Sequence, residues 1–216
     1  MNFNTLHTTH GRAIPFATGL KLARPELTVI VITGDGDAAA IGGNHLIHAA
    51  RRNIDLTAVC FNNNIYGMTS GQYSPLTPKS KKAATAPYGN IENNFDLCRL
   101  VIAAGASYVA RGTAYHVRSL IRLITRGIRH RGFAFIEALS PCPTYYGRIN
   151  GLDSAISMLQ WQKEHALDIK AASRKRPYEL EDKIIIGELF NSEARGLNIP
   201  EFSQEYWNLI KRVKDK

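Results

Sequence analysis

Two clusters of oxygen-bearing side chains stand at the ends of neighbouring apolar runs. The first, Gly34-Asp35-Gly36-Asp37, follows Val29, Ile30, Val31 and Ile32; the second, Asn62-Asn63-Asn64, follows the run 56–61. Glycines on either side of Asp35 let the backbone turn sharply and come close to a ligand. Asp35 then offers a carboxylate oxygen, Asn63 an amide oxygen, and the backbone around Ile65 a carbonyl. One carboxylate, one amide and one carbonyl, completed by diphosphate oxygens, form a set that Mg²⁺ accepts. A helix beginning near Ala38 aims its first N–H groups at the same anion. Taken singly, GDG reads as a turn and NNN as a loop. At the carboxyl ends of adjacent strands, where open α/β sheets bind ligands, they read together as a site.

These clusters need a β-α-β unit to hold them. The β-branched run before Gly34 predicts a parallel strand buried on both faces. A helix is expected over 40–52 and a second strand over 56–61. Before the unit, a helix is expected over 12–23, with Pro15 in its first turn and Thr8 or Thr9 as its cap. After it, 66–90 is polar and rich in Gly, Pro, Ser, Thr and Lys, and a loop of that length is functional or mobile. Helix 95–104 stops at Gly105, which suits a C′ glycine. Strand 107–110, helix 115–130, strand 133–138, an amphipathic helix 153–170, a short strand 184–187 and a terminal helix 205–213 follow. The alternation predicts an α/β fold with a mainly parallel sheet flanked by helices. The expected domains are 1–150, carrying the site, and a C-terminal extension 151–216 packed on it or on a partner.

The chain has 216 residues, enough for one such domain with a sizeable core. No apolar run reaches the length of a membrane span, and Met1-Asn2-Phe3-Asn4-Thr5 has neither arm of a signal peptide, so the expected location is cytoplasmic. The net charge of +9 fits a nucleic-acid binder or a protein that meets acidic partners or phosphorylated cofactors. No helix-turn-helix, zinc-finger or RNA-binding pattern accompanies it, and the aromatics are not interleaved with the basic residues. The expectation is therefore no nucleic acid and no membrane. Cys60, Cys98 and Cys142 are too far apart for a disulfide framework or a zinc pair.

The strings HTTHGR, TVIVITGDGDAAAIGGNHLIHAARRN, FNNNIYGMTSGQYSPLTP and LSPCPT, over most of 5–150, resemble the β subunit of 2-oxoacid:ferredoxin oxidoreductases, most closely the 2-oxoglutarate type. GDG followed by the asparagine pair is similar to the thiamine diphosphate signature. The resemblance implies a thiamine diphosphate-binding fold of the pyrophosphate type, with Asp35, Asn63 and the Ile65 carbonyl on Mg²⁺. It implies diphosphate contacts from Gly36, Asp37, Gly67 and Met68, with His10 facing the cofactor and Thr9 beside it. The implied reaction is oxidative decarboxylation of a 2-oxoacid, 2-oxoglutarate to succinyl-CoA, with ferredoxin reduced and coenzyme A acylated. The α subunit, ferredoxin, coenzyme A and the 2-oxoacid are the implied partners. Cys142 would be one of four cysteinates on a [4Fe–4S] cluster. The family's other three lie in a segment before the residues present here, which implies a chain lacking that segment.

Other readings stay open. Pyruvate or another 2-oxoacid can be the substrate, and a non-oxidative thiamine enzyme subunit without the cluster is an alternative, as is a non-catalytic one. The aminopyrimidine-activating glutamate has no good candidate here: Glu92 lies in the wrong loop and Glu137 is a weak choice at a strand end. The family places that group on the partner. His45 and His48 read as a polar helix face. Arg118, Arg122, Arg126 and Arg129 form a solvated stripe, or a docking face for an acidic partner such as ferredoxin or for coenzyme A phosphates, and so, more weakly, does Arg174-Lys175-Arg176. Cys60 and Cys98 read as core.

Overall fold

The apolar runs assemble into one mixed sheet of six strands with helices on both faces. The structure is a computed structural model and describes residues 4–214. Residues 1–3 and 215–216, at the outer limits of the expected domains, lie outside that range. In chain order the elements are α1 (Ala13–Ala23), β1 (Ile30–Gly34), a π-helical turn (Asp37–Ile41), α2 (Gly43–Arg52), β2 (Thr57–Asn62), α3 (Leu97–Ala104), β3 (Tyr108–Thr113), α4 (Val117–Arg129) and β4 (Ala134–Leu139). Then come α5 (Ala155–His165), β5 (Ala166–Asp168), α6 (Ile169–Ala172), β6 (Ile184–Asn191) and α7 (Phe202–Lys214).

The strand order is β1-β2-β4-β3-β6-β5. The first four are parallel, β6 runs antiparallel to β3, and β5 pairs parallel with β6. Gly34 stands opposite Phe61, so the ends of β1 and β2 open side by side. On one face Val31, Ala58, Cys60, Val109 and Phe135 pack under Ile14 of α1, Leu46 and Ala50 of α2, and Leu97 and Val101 of α3. On the other, Val59, Tyr108, Ala110 and Ile136 meet Leu120 and Leu123 of α4.

Several expectations change. β1 is not buried on both faces: it is the edge strand, and Ile32 remains 62% exposed on the side away from α1 and α2. The helix expected over 40–52 starts instead as a π-helical turn, closed by Gly42 N–H to the Asp37 carbonyl at 3.0 Å, before α2 takes over. The helix expected over 153–170 stops at His165, because Ala166–Asp168 pair with 184–186 as β5. The strand expected over 184–187 extends to Asn191, held along β3. The part from residue 151 onward therefore contributes two strands to the same sheet. No side chain of Thr8 or Thr9 caps α1; the Thr9 carbonyl accepts from Arg12 N–H instead. Gly105 does cap α3, at φ +108°, and Asp96 caps its start.

Candidate cofactor site

At the carboxyl end of β1 the chain turns directly into helix. Asp35 sits there at 2% exposure. Burial pushes its carboxyl up to about 6, although the Ser74 hydroxyl and the N–H groups of Asp35, Gly36 and Asn63 pull the other way. A buried carboxylate with so little compensation is a group suited to a cation. The Asp35 turn and the Asn63 turn stand at the carboxyl ends of neighbouring strands, with Gly34 opposite Phe61.

Gly36 is required for a reason the sequence does not display. Its backbone is ordinary right-handed helix, φ −69° and ψ −33°. What excludes a side chain is Tyr66, whose ring carbons would lie 2.3 Å from an added Cβ. The Tyr66 hydroxyl donates to the Gly36 carbonyl at 3.1 Å, and its ring meets His10 edge-on with centroids 6.2 Å apart. Burial and the charges of Asp35 and Asp37 raise the Tyr66 pKa.

The Asp37 carboxylate faces away from the expected diphosphate task. Oδ1 accepts the Gly11 N–H at 2.5 Å and lies 2.6 Å from His10 Nδ1, while Oδ2 accepts the Thr33 hydroxyl at 2.5 Å. An ionised carboxylate only accepts, so His10 Nδ1 carries the proton of that bond. Gly11 reaches this position at φ +69°, with Ile41 against its open side. In this way the Thr9-His10-Gly11 segment is docked on the turn after β1. Thr9 itself is exposed there.

At the end of β2, Asn63 Oδ1 accepts the Ile65 N–H at 3.2 Å, and Asn64 turns the chain at φ +63°. The Ile65 side chain is buried. Gly67 leaves room: a Cβ there would stand 3.5 Å from Asn63 Nδ2 and 3.7 Å from Cys142 Sγ. Met68 projects fully into solvent, so a contact from it falls to its backbone. Cys142 is half-buried after β4, beside Gly67.

The residues present fit Mg²⁺ and a diphosphate: a buried carboxylate, an amide and a carbonyl on adjacent strand ends, with helix N–H groups beside them. They do not fit a four-cysteinate cluster by themselves. Among the described residues Cys60 and Cys98 are core thiols, their pKa values raised by burial, and the one cluster of metal-ligating side chains is Asp96, Cys98 and Glu137. That cluster already holds its cation. Arg111 Nε meets Glu137 at 2.6 Å and Nη2 meets Asp96 at 2.5 Å. Glu137 Oε1 accepts from Asn62 Nδ2 at 2.7 Å, so this buried network supports the NNN turn from beneath.

Sequence reasoning missed Thr33, Tyr66, Ser74 and Thr77, which hold the predicted residues in place. Only Tyr66 gives a signal, as an aromatic between two flexible turns.

A family profile described as thiamine pyrophosphate enzyme, C-terminal TPP binding domain, matches residues 1–138. The 2-oxoglutarate synthase subunit KorB of Methanocaldococcus jannaschii is 55% identical over 213 residues, which are 99% of this chain and 77% of that one. The subunit of the same name in Methanothermobacter thermautotrophicus is 58% identical over 191 residues, 88% of this chain and 67% of its own. The solved 2-oxoglutarate:ferredoxin oxidoreductase of Magnetococcus marinus, with 2-oxoglutarate, coenzyme A and succinyl-CoA bound, superposes with a TM-score of 0.81 at 34% identity. The match covers 96% of this chain and 70% of that one.

Proposed function

We propose, for a chain that belongs to the β-subunit family of the 2-oxoacid:ferredoxin oxidoreductases and carries the thiamine pyrophosphate-binding domain, the role of cofactor-binding subunit in the oxidative decarboxylation of 2-oxoglutarate. Succinyl-CoA and reduced ferredoxin are the products on this reading. Four relatives that are 54–60% identical to this chain are named for 2-oxoglutarate, which supports that substrate over pyruvate. The α subunit, ferredoxin, coenzyme A and the 2-oxoacid are its partners, in the cytoplasm. Among the described residues no helix is long and apolar enough to cross a membrane.

The observation that carries the proposal is the pairing of Asp35 with the Asn63–Ile65 turn across neighbouring strand ends. Asp35, the Asn63 amide oxygen and the Ile65 carbonyl would hold Mg²⁺. The backbone N–H groups of Gly36, Asp37, Gly67 and Met68 would face the diphosphate, where the start of a helix favours negative charge. When bound there, thiamine diphosphate supplies a carbon nucleophile for the keto carbon and a sink for the electron pair left as CO₂ departs. Asp37 fixes the His10 tautomer and leaves Nε2 able to take or return a proton at the cofactor face. Tyr66 covers the turn at Gly36, its hydroxyl on the Gly36 carbonyl. Cys142, beside Gly67, would be the one thiolate this chain offers to a [4Fe–4S] cluster of the family's kind.

The test uses the protein purified with its α subunit. Ferredoxin reduction should require 2-oxoglutarate, coenzyme A, thiamine diphosphate and Mg²⁺. Asn63→Ala should weaken Mg²⁺-dependent thiamine diphosphate binding by calorimetry by about 100-fold, the loss expected for a direct ligand at the upper end of the range seen for supporting groups. Cofactor affinity unchanged in Asn63→Ala would overturn the site.

A further inference from the structure

The stretch 74–77 is buried more deeply than a surface loop requires. Ser74 and Thr77 are 0% exposed and Leu76 is 2% exposed, in a segment read from sequence as loop. Buried hydroxyls need partners, and both have theirs on the two strand ends that form the site. The Ser74 hydroxyl donates to Asp35 Oδ2. The Thr77 hydroxyl donates to the Asn64 carbonyl at 2.6 Å. The two are locked to each other: Ser74 N–H donates to Thr77 Oγ1 at 2.8 Å, and Leu76 N–H to Ser74 Oγ at 3.2 Å. Asn90 holds the turn from outside, its Nδ2 donating to the Thr77 carbonyl at 2.8 Å.

We propose that the Ser74-Pro75-Leu76-Thr77 turn is a clasp that sets the metal-ligand geometry, with Ser74 and Thr77 as positioning residues. Ser74 occupies Oδ2 of Asp35 and so fixes the rotation of the carboxylate that would face a cation. Thr77 holds the Asn64 peptide, and with it the spacing between the Asn63 side chain and the Ile65 carbonyl. Neither residue touches the cation; both act through groups that do. Outer groups of this kind orient ligands and typically change metal affinity by about 10–100-fold when removed. The inference rests on the reading of Asp35, Asn63 and Ile65 as the metal set.

The experiment uses the complex with the α subunit and Mn²⁺ as the probe in place of Mg²⁺, with thiamine diphosphate present. Free and bound Mn²⁺ are read by electron paramagnetic resonance, and the melting temperature of each cofactor-free variant is recorded. Asp35→Ala should lose specific Mn²⁺ binding. Ser74→Ala should weaken it about 10–100-fold and change the bound-ion spectrum. Thr77→Val, which keeps the shape and removes both bonds of the hydroxyl, should weaken it roughly fivefold, the worth of the one neutral bond that reaches the ligand segment. Thr77→Ser, which restores the donor, should bind as the parent does. If Asp35→Ala binds Mn²⁺ normally, the metal-site reading itself fails. If Asp35→Ala loses the ion while Ser74→Ala and Thr77→Val keep parental affinity and spectrum, the clasp is refuted and the site stands. Should Ser74→Ala fail to fold, the Thr77→Val and Thr77→Ser pair decides: equal affinity in both refutes the clasp, loss in the first alone supports it.

Discussion

Replacing Asp35 by asparagine should stabilise the cofactor-free protein and destroy its response to cofactor. The carboxyl rises from an ordinary value of 3.8 to about 6, chiefly through burial. At a pH above both values that rise costs about 3 kcal/mol of folding stability. Asparagine removes the charge and can still accept the Ser74 hydroxyl. Its NH₂ group, however, meets the N–H groups of Gly36 and Asn63 and gives back about 1 kcal/mol for each bond spoiled. The net gain is about 1–2 kcal/mol, or roughly 2–8 °C in melting temperature for a domain of this size. The sign with pH is fixed by linkage. Between 3.8 and about 6 the folded carboxyl holds a proton that the unfolded chain releases, so parental stability falls as pH rises through that window. The variant lacks this loss. Its advantage should therefore be greatest at pH 7–8 and be lost, with the sign reversed, near pH 4. Mg²⁺ with thiamine diphosphate at about 100 times its dissociation constant should stabilise the parent by about 2.7 kcal/mol and the variant not at all. Thermal melts in EDTA and in Mg²⁺ with thiamine diphosphate, from pH 4 to 8, check both halves. A gap that does not change with pH would refute the burial account. Normal stabilisation of Asp35→Asn by the ligands would refute the metal role.

Two further outcomes test the packing around the site. Gly36→Ala places a Cβ 2.3 Å from the Tyr66 ring and should destabilise by about 1–3 kcal/mol as that ring is displaced. Gly19→Ala, in the interior of α1 with no neighbour within 4 Å, should stabilise by about 0.5–1 kcal/mol, and equal effects of the two in denaturant titrations would exclude close approach as the reason for Gly36. Arg111→Met leaves Glu137 buried without its cation and should cost about 3–5 kcal/mol, read as a fall in melting temperature on the order of 10 °C; a loss under about 1 kcal/mol would show that the network is not held by that pair.

The central β-α-β unit was legible because its signals are local. Continuous apolar runs mark strands, GDG and NNN mark where they stop, and the structure sets those stops on neighbouring strands in register. What failed depended on the position of an element in the sheet. The run 29–32 looks the same at an edge as in the middle, and only the strand order leaves Ile32 exposed. Residues 166–168 continue a helical pattern from α5, yet pairing with β6 outweighs propensity there. At the site, the residues with hard oxygen atoms were readable. Those that orient them were not, since Ser74 and Thr77 reach Asp35 and Asn64 across 39 and 13 positions by single hydroxyls that leave no periodic trace.

The candidate ligand segment 63–65 lies between two hydrogen-bonded layers. Beneath it, Asn62 is tied to Glu137, Glu137 to Arg111, and Arg111 to Asp96 at the start of α3. Above it, the Thr77 hydroxyl holds the Asn64 carbonyl, and Asn90 holds Thr77. Asp35 is held in the same way, by the Ser74 hydroxyl on Oδ2. These contacts run between protein groups on both sides of the segment, so folding itself orders the oxygen atoms that the proposed site would use. What folding leaves uncompensated is the charge on Asp35. On the proposed assignment, a cation there would meet an ordered oxygen set and gain from neutralising the buried Asp35 carboxylate.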